Sequence, residues 1–397
     1  VSPVLIPTLF LGALFYDFFH SELPPGIDQP LKLRLFNSLL IATLISGKIL
    51  EKLGICGDLS LLRLVLDGIP PRRDSKLFIK DLQVDEVPVR IYQPKCPPTG
   101  KRRGILYFHG GAGTFGSIRA FERICSHLAK KCDSVVMSVG YRLAPEHPYP
   151  GQYLDCLAAT LYFMRNLEEY HVDPARIIIS GDSCGANFAT VICQILLNKR
   201  DLPKVRAQVL FYPGLQGLDF HLPSYQQNAS VPILYRKLVI YFCFRYLNKE
   251  PTVLEDVLQN SHVPESMKCK YKKWISADII PDEFKIRGYV PQKSTSFKPE
   301  VHEAIKEILA LTFSPLLAED SLIRQLPESY IVTCEFDVLR DDGLLYKKRL
   351  EDNGVPVTWY HSESAFHGIL AFFGYGIFSF SSAKKIMDRT VNYINSL

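Results

Sequence analysis

The stretch that decides the fold is residues 176–187, Arg-Ile-Ile-Ile-Ser-Gly-Asp-Ser-Cys-Gly-Ala-Asn. It opens with a β-branched apolar run typical of a buried strand, and a helical pattern follows it. Between them, residues 181–185 have the Gly-x-Ser-x-Gly spacing of a strand-to-helix turn that holds a serine exposed above a sheet. Glycines are needed because the turn is too tight for bulkier residues. We therefore predict that Ser183 is a nucleophile and not an ordinary turn serine.

Strand and helix patterns alternate on both sides of this turn. Short apolar runs predict strands at residues 76–81, 87–93, 104–108, 134–139, 176–180, 207–212, 329–334 and 357–361. Helical spacing is present at residues 121–131, 153–170, 187–197 and 343–352. This alternation predicts an α/β fold of the α/β-hydrolase type, with a mainly parallel central sheet and helices on both faces.

The alternation stops between residues 215 and 325, a stretch rich in aromatic residues and lysine. It is too long for a plain loop, so we expect a helical cap, joined by residues 20–75. The predicted organisation is a membrane anchor at 1–19, N-terminal cap helices at 20–75, the first part of the hydrolase core at 76–214, the cap insertion at 215–325 and the second part of the core at 326–397.

Residues 109–113, His-Gly-Gly-Ala-Gly, directly follow the strand predicted at 104–108. In such enzymes a loop at this place brings backbone N–H groups to the oxyanion, opposite the N–H of the residue after the nucleophile. Glycines let the backbone approach closely. The predicted oxyanion hole comprises His109, Gly110, Gly111, Ala112 and Cys184.

The general base is expected after the last predicted strand, because the order along the chain is Ser, then Asp or Glu, then His. His367 lies there, and His361, which ends that strand, stays open as an alternative. Three further histidines fall in the predicted cap: His221, His262 and His302. We predict His367 as the base.

The acid that orients the base is expected at the carboxyl end of a strand, where functional groups of open α/β sheets gather. Asp337 lies just beyond the strand predicted at 329–334. Glu335, Asp341 and Asp342 are the alternatives; the two aspartates are expected at the start of the next helix, where a negative charge is favoured by the helix dipole. We predict Asp337.

Composition argues against several other function classes. The 397 residues carry a net charge of +5 without a long block of like charges, which does not favour nucleic-acid binding. Ten cysteines form no Cys-x-x-Cys pair and no Cys/His spacing typical of zinc. We therefore expect no metal site and no nucleic-acid partner.

The N-terminal region is apolar. Residues 1–19 fall just short of the ~20 apolar residues that a span needs, and we interpret them as the remains of a signal anchor, with a surface or cap helix as the alternative. A second apolar run, residues 35–49, contains several polar residues and is interpreted as an amphipathic helix over a hydrophobic site, not as a second span. Asn228, followed by Ala229 and Ser230, is a possible N-glycosylation site.

Six motifs, in order, give the chain a specific family resemblance from about residue 50 onward: FHGGAG (108–113), YRLAPEH (141–147), GDSCGAN (181–187), FYPG (211–214), DVLRDDGLLYKKRL (337–350) and FHG (366–368). The sequence resembles the arylacetamide deacetylase-like branch of the hormone-sensitive-lipase group. The resemblance implies an enzyme anchored in the endoplasmic reticulum membrane with a luminal hydrolase domain. It also implies activity on apolar acyl esters or aryl amides, small molecules or lipids, without a cofactor.

Three sites depart from the family pattern: Ala112 replaces a glycine, Cys184 replaces a smaller residue, and Ser364-Ala365 replaces Asp-Gly. A positive φ at Ala112 would cost on the order of 1 kcal/mol. Two alternatives therefore stay open: a weakly active or inactive binding protein on the same fold, and a cytosolic esterase. The expected lining of the apolar site under the cap is Phe220, Tyr225, Phe242, Phe244 and Trp274, although each could equally belong to the core of the cap.

Overall fold

The computed structural model describes Gly12, Phe18, Phe19 and residues 23–68, 74–293 and 295–397. Its centre is an eight-stranded sheet in the order β1-β2-β4-β3-β5-β6-β7-β8. The strands are β1 Leu77–Val84, β2 Val87–Pro94, β3 Arg102–Phe108, β4 Ser134–Val139, β5 Val172–Asp182, β6 Ala207–Phe211, β7 Glu328–Phe336 and β8 Val357–Phe366.

The sheet is parallel except at one edge. Strand β2 runs antiparallel to both β1 and β4, and all the other neighbouring strands are parallel. The carboxyl ends of β3, β5, β6, β7 and β8 therefore meet at one edge, where the loops of an open α/β sheet form its site. The predicted α/β-hydrolase fold class is confirmed, and each predicted strand coincides with an observed one.

Helices cover both faces of the sheet. In chain order they are α1 Pro30–Lys52, α2 Ser60–Asp67, α3 Glu122–Lys131, α4 Gly151–Arg165, α5 Cys184–Leu196, α6 Pro223–Gln227, α7 Arg236–Tyr246, α8 Leu254–Leu258, α9 Glu265–Tyr271, α10 Pro299–Ile305, α11 Asp320–Ile323, α12 Arg340–Asp352 and α13 Ser381–Ser396. Apolar residues of α3 and α13 share one core cluster with one face of the sheet, and those of α4, α5 and α12 share another with the opposite face. The sequence patterns did not predict α13.

The region between residues 215 and 325 is helical, with α6 to α11 and short 3-10 turns and with no strand in its described part. Two buried carboxylates at the start of α12 hold it to the core. Asp341 accepts a hydrogen bond from the backbone N–H of Ser224 at 2.7 Å, and Asp342 accepts one from that of Leu215 at 2.8 Å. The domain boundaries themselves stay predictions.

Helices α1 and α2 lie beside this cap. Gly47 of α1 packs so closely on the chain before α2 that an added Cβ would collide with the carbonyl oxygen of Asp58. The carboxylate of Asp58 in turn accepts hydrogen bonds from Arg245 at 2.7 Å and Tyr241 at 3.1 Å. The N-terminal helices are thus fixed to α7 of the cap.

Helix α1 contains the apolar run predicted as an amphipathic helix over a hydrophobic site. It does lie over a cavity, to which Phe36, Leu40 and Leu44 contribute. It is not amphipathic, because Leu31 and Leu35 on its outer side are exposed. Among the described residues it is the one helix long and apolar enough to cross a membrane, with a mean hydropathy of 1.5 in its best window. The anchor predicted at residues 1–19 lies outside the described residues, except for Gly12, Phe18 and Phe19.

Candidate active site

Ser183 stands alone between strand β5 and helix α5. Its φ of 55° lies in the left-handed region, which is uncommon for a residue other than glycine. The flanking glycines explain how the turn closes: a Cβ on Gly181 would collide with the backbone of Gly185, and a Cβ on Gly185 would collide with the carbonyl oxygen of Phe108. Such strain is typical of a functional turn that the surrounding fold over-determines.

Ser183, His367 and Asp337 form one hydrogen-bonded chain. The Ser183 Oγ to His367 Nε2 distance is 2.8 Å, and the His367 Nδ1 to Asp337 Oδ2 distance is 2.9 Å. A carboxylate only accepts, so the proton of the imidazole is on Nδ1 and Nε2 is free to accept from the serine. Asp337 is fully buried, and its second oxygen accepts from the N–H of Leu339 at 2.7 Å. The arrangement can activate a hydroxyl as a nucleophile.

The alternative acids and the alternative base lie elsewhere. Glu335 binds the side chains of Arg287, Arg340 and His361 at 2.7, 3.2 and 3.2 Å. Although burial raises the pKa of Glu335, the His361 hydrogen bond and the two guanidinium charges outweigh it and lower the pKa to about 2. His361 also contacts the Thr333 hydroxyl at 2.9 Å, so neither Glu335 nor His361 belongs to the Ser183 chain.

Asn228 is part of the support of the acid, not a surface acceptor for sugar. Its side chain is fully buried, and its amide nitrogen donates to the carbonyl oxygens of Asp337 at 2.9 Å and Glu335 at 3.2 Å. Its amide oxygen accepts from Arg287 at 3.1 Å. The burial and the hydrogen bonds of this nitrogen argue against a glycan on Asn228 in the folded chain, and the predicted glycosylation stays a prediction.

The loop after β3 corrects one predicted oxyanion donor. The N–H of Gly110 donates to Asp182 Oδ1 at 2.8 Å, which points this group at the carboxylate and away from a substrate. Gly111 and Ala112 follow with φ of 123° and 51° and line the cavity beside Ser183. Because φ at Ala112 is positive, the condition for the expected strain of about 1 kcal/mol is met.

Asp182 fixes this loop to the nucleophile turn. The phenol of Tyr107 donates to its Oδ1 at 2.9 Å, in addition to the N–H of Gly110. Burial raises the pKa of Asp182 to about 6, against the lowering effect of these hydrogen bonds. Asp182 was not predicted to have a role, although its position directly before Ser183 and at the end of a buried strand was a usable signal.

Cys184 and His109 are placed under the loop. The N–H of Gly113 donates to the Cys184 thiol at 3.3 Å, so the larger side chain fills space between the turn and the loop. Burial raises the pKa of this thiol to about 12, which keeps it neutral. The His109 ring stacks on Tyr141 with ring centroids 4.2 Å apart, and burial lowers the pKa of His109 to about 4. His109 therefore supports the loop and does not line the cavity.

A cavity of about 440 Å³ opens over Ser183 and His367. Its walls are mostly apolar and come from α1, α2, α7 and the turn after β8. Of the expected lining residues, Phe220, Tyr225 and Phe242 contribute to it, whereas Phe244 and Trp274 do not. Trp274 instead packs against the guanidinium of Arg349, with 3.8 Å between that group and the ring centroid. Within the described residues, no group of three His, Cys, Asp or Glu is arranged to hold a metal ion.

Comparisons with known proteins agree with the fold. A family profile described as an α/β hydrolase fold matches residues 105–269 and 293–371. Arylacetamide deacetylase-like 3 of Mus musculus is 44% identical over 391 residues, which cover 97% of this chain and 95% of that protein. Arylacetamide deacetylase of Bos taurus is 39% identical over 373 residues, or 92% of this chain and 93% of that one. The crystal structure of a thermostable esterase from Pseudomonas putida matches with a TM-score of 0.67 at 20% identity, over 94% of this chain and 98% of that one, and supports the fold alone.

Proposed function

The chain belongs to the arylacetamide deacetylase family of α/β-hydrolases and is a carboxylic ester hydrolase, and we propose that it cleaves esters or aryl amides of apolar acyl groups through Ser183, His367 and Asp337. The observation that carries the proposal is the Ser183–His367–Asp337 hydrogen-bond chain at the floor of an apolar cavity. The substrate class is supported by the walls of that cavity, because apolar groups are held there by burial.

The proposed reaction proceeds in two steps through an acyl-enzyme. Ser183 Oγ attacks the substrate carbonyl while His367 Nε2 takes its proton, and Asp337 stabilises the imidazolium that forms. The backbone N–H groups of Gly111, Ala112 and Cys184 stabilise the oxyanion. His367 then protonates the leaving alcohol or amine, which departs, and a water activated by the same imidazole releases the acid and frees Ser183.

The chain also has features of a membrane protein, and the finer location is part of the proposal. The apolar residues 1–19 support a single membrane anchor, and the family relationship supports a hydrolase domain on the luminal side of the endoplasmic reticulum. Protease protection of the full chain in intact microsomes tests this orientation. Digestion of the hydrolase domain without detergent would contradict it.

Labelling with a fluorescent fluorophosphonate tests the nucleophile. We expect the parent chain to be labelled and Ser183→Ala and His367→Gln to remain unlabelled, because one lacks the nucleophile and the other its base. His361→Gln is the matched control, since His361 lies six residues earlier but contacts Thr333 and Glu335. It should be labelled like the parent.

Two results would overturn the assignment. Labelling or ester hydrolysis that survives in Ser183→Ala would exclude Ser183 as the nucleophile. A folded parent chain that takes no label would instead favour a binding protein on the same fold, with its oxyanion loop disabled at Ala112.

A further inference from the structure

The mouth of the cavity is surrounded by exposed apolar side chains from three separate parts of the chain. Leu39 of α1, Val65 of α2 and Phe378 each line the cavity, yet they are 53%, 51% and 49% exposed. We call these residues the rim. They belong to the cavity and to the outer surface at once, so anything that covers the surface here also covers the entrance.

A second set of exposed residues extends the apolar surface outward without lining the cavity. Leu35, Leu64 and Ile377 are 46%, 72% and 81% exposed and lie next to or near the rim residues in the same three segments. We call these three the outer ring. Single exposed apolar residues are ordinary, but several of them grouped near the opening of an apolar cavity are typical of an interaction surface.

Helix α1 shows why this surface is unusual for a water-facing one. Leu31, Leu35 and Leu39 follow one another at intervals of four residues, and Ile45 and Ile49 continue on the same side, all of them exposed. The opposite side is packed on the protein through the buried residues Leu33 and Gly47. A helix that is apolar on both sides is stable only when both sides are shielded from water, and here the protein shields one of them.

The chain N-terminal to α1 indicates what covers the other side. The guanidinium of Arg34 donates to the carbonyl oxygens of Phe18 and Phe19, at 2.9 and 3.1 Å. Phe18 and Phe19, at the end of the apolar run 1–19, therefore contact α1 itself. A membrane anchor in that position would hold this surface against the bilayer, and the exposed Lys48 and Lys52 near the end of α1 suit a headgroup layer.

We propose that the rim and the outer ring dock into the surface of a lipid bilayer, so that apolar substrates pass from the lipid phase directly into the cavity above Ser183. Helix α1 then lies in the plane of the interface instead of crossing the membrane, because its inner side stays packed on α2 and the cap. The lipid contact itself is independent of catalysis; the route to Ser183 rests on the proposed hydrolase function.

The first experiment compares two substrates for the full chain reconstituted in phosphatidylcholine vesicles. The variant Leu35→Ser/Leu64→Ser/Ile377→Ser changes only the outer ring. We expect its hydrolysis of 4-nitrophenyl palmitate held in the vesicles to fall on the order of tenfold, with hydrolysis of water-soluble 4-nitrophenyl acetate within about twofold of the parent. The matched control, Phe78→Ser/Ile286→Ser/Val290→Ser, removes equally exposed apolar residues that do not line the cavity and should not change the ratio.

The second experiment measures how close the outer ring lies to the lipid, and it does not depend on catalysis. In a Ser183→Ala background, Leu64→Trp adds a tryptophan to the outer ring, and Phe78→Trp adds one at the amino-terminal end of the parallel strands, remote from the entrance. We expect doxyl-labelled phosphatidylcholine to quench the added emission of Leu64→Trp several-fold more than that of Phe78→Trp. Trp274 and Trp359 give the same background in both.

The outcomes separate the two proposals. Equal quenching of both tryptophans would overturn the docking, whatever the enzyme does. Strong quenching at Leu64 with no hydrolysis of either ester by the parent would leave the docking intact and contradict the hydrolase function. A dimer that becomes a monomer in the outer-ring variant, without selective quenching, would assign this surface to a second copy of the chain.

Discussion

Ala112 sits in the oxyanion loop with a backbone conformation that suits glycine. Its φ of 51° carries a cost of about 1 kcal/mol for a residue with a Cβ, and Ala112 packs against the apolar cluster that contains Leu59, Leu62 and Phe242. The loop is nevertheless held in place from below by Asp182 and Cys184. The strain is therefore compensated by local contacts, and the N–H that we propose for the oxyanion hole is retained.

We predict that Ala112→Gly keeps kcat/KM for a short acyl ester within about threefold of the parent, because it relieves the strain and leaves the N–H unchanged. Ala112→Val should lower kcat at least about tenfold, since a β-branched residue is much harder to fit at positive φ. Steady-state kinetics at a temperature where circular dichroism shows both variants folded is the measurement. A hundredfold loss in Ala112→Gly would mean that the methyl contacts, and not the N–H, position the loop.

At the scale of single residues, the sequence was sufficient to choose the residues of the Ser183–His367–Asp337 chain, but it did not predict the contacts that hold them in place. The spacing of Gly181, Ser183 and Gly185 and the order of Asp337 and His367 along the chain were sufficient to choose the residues that the fold brings together. The direction of the Gly110 N–H and the burial of Asn228 were not predictable, because both depend on partners far away in sequence. A glycosylation sequon in particular contains no information about burial.

At the scale of elements, the cap side chains Arg287 and Asn228 connect the cap to the acid loop. Arg287, from the cap, donates to the carbonyl and carboxylate oxygens of Glu335 at 3.0 and 2.7 Å and to the amide oxygen of Asn228 at 3.1 Å. Asn228, at the end of α6, in turn donates a hydrogen bond from its side-chain amide to the carbonyl oxygen of Asp337. The cap thus takes part in positioning the residue that orients His367, in addition to forming the roof of the cavity.

Asn228→Ala should lower kcat about tenfold with little change in KM, because Asp337 loses a positioning hydrogen bond while the cavity is untouched. It should also lower the melting temperature, since a buried carbonyl loses a donor. Asn353→Ala is the control: its amide donates to the carbonyl oxygen of Arg349 at 2.8 Å and to Asp320, away from the triad, so only stability should fall. Unchanged kcat in Asn228→Ala would restrict Asn228 to a structural role.

The element patterns were predicted well where packing is regular. Strands buried on both faces appear in a sequence as short apolar runs, which is why β3 to β7 were recognised. The predicted strands were several residues shorter than the observed ones at β5 and at β8. The extensions matter, since they bring Ser183 and His367 directly to strand ends. Helix α13 was not predicted because its buried positions, such as Ile386 and Ile394, are interspersed with Lys, Asp, Arg and Asn.

At the scale of the whole molecule, buried histidines couple stability to pH. His262 is fully buried, its Nε2 contacts the carbonyl oxygen of Gly217 at 2.8 Å, and its Nδ1 has no partner among the described residues. Burial lowers its pKa to about 4. The folded chain therefore keeps this ring neutral, whereas the unfolded chain protonates it below a pKa of about 6.5. Its stabilising contribution is complete above that pH and is lost as the pH falls toward 4.

Other buried groups change the stability in the opposite direction as the pH falls. The pH dependence of stability in the parent chain alone therefore does not reveal the contribution of His262. Burial raises the pKa of Asp182 to about 6 and of Asp342 to about 7. Their protonated forms are favoured in the folded chain, and stability from these two groups increases as the pH falls from about 7 toward 4. A difference between two chains that share both aspartates removes this contribution and isolates the histidine.

We predict that His262→Gln lowers the slope of the free energy of unfolding against pH, relative to the parent, by up to about 1.4 kcal/mol per pH unit between about pH 4.5 and 6, the value for one proton. Urea unfolding at several pH values, followed by circular dichroism, measures the slope. His147→Gln removes an exposed imidazole and should leave the slope as in the parent. Equal slopes for all three chains would mean that His262 gains a partner for Nδ1 on protonation, and that the junction between the cap and the core opens enough to admit one.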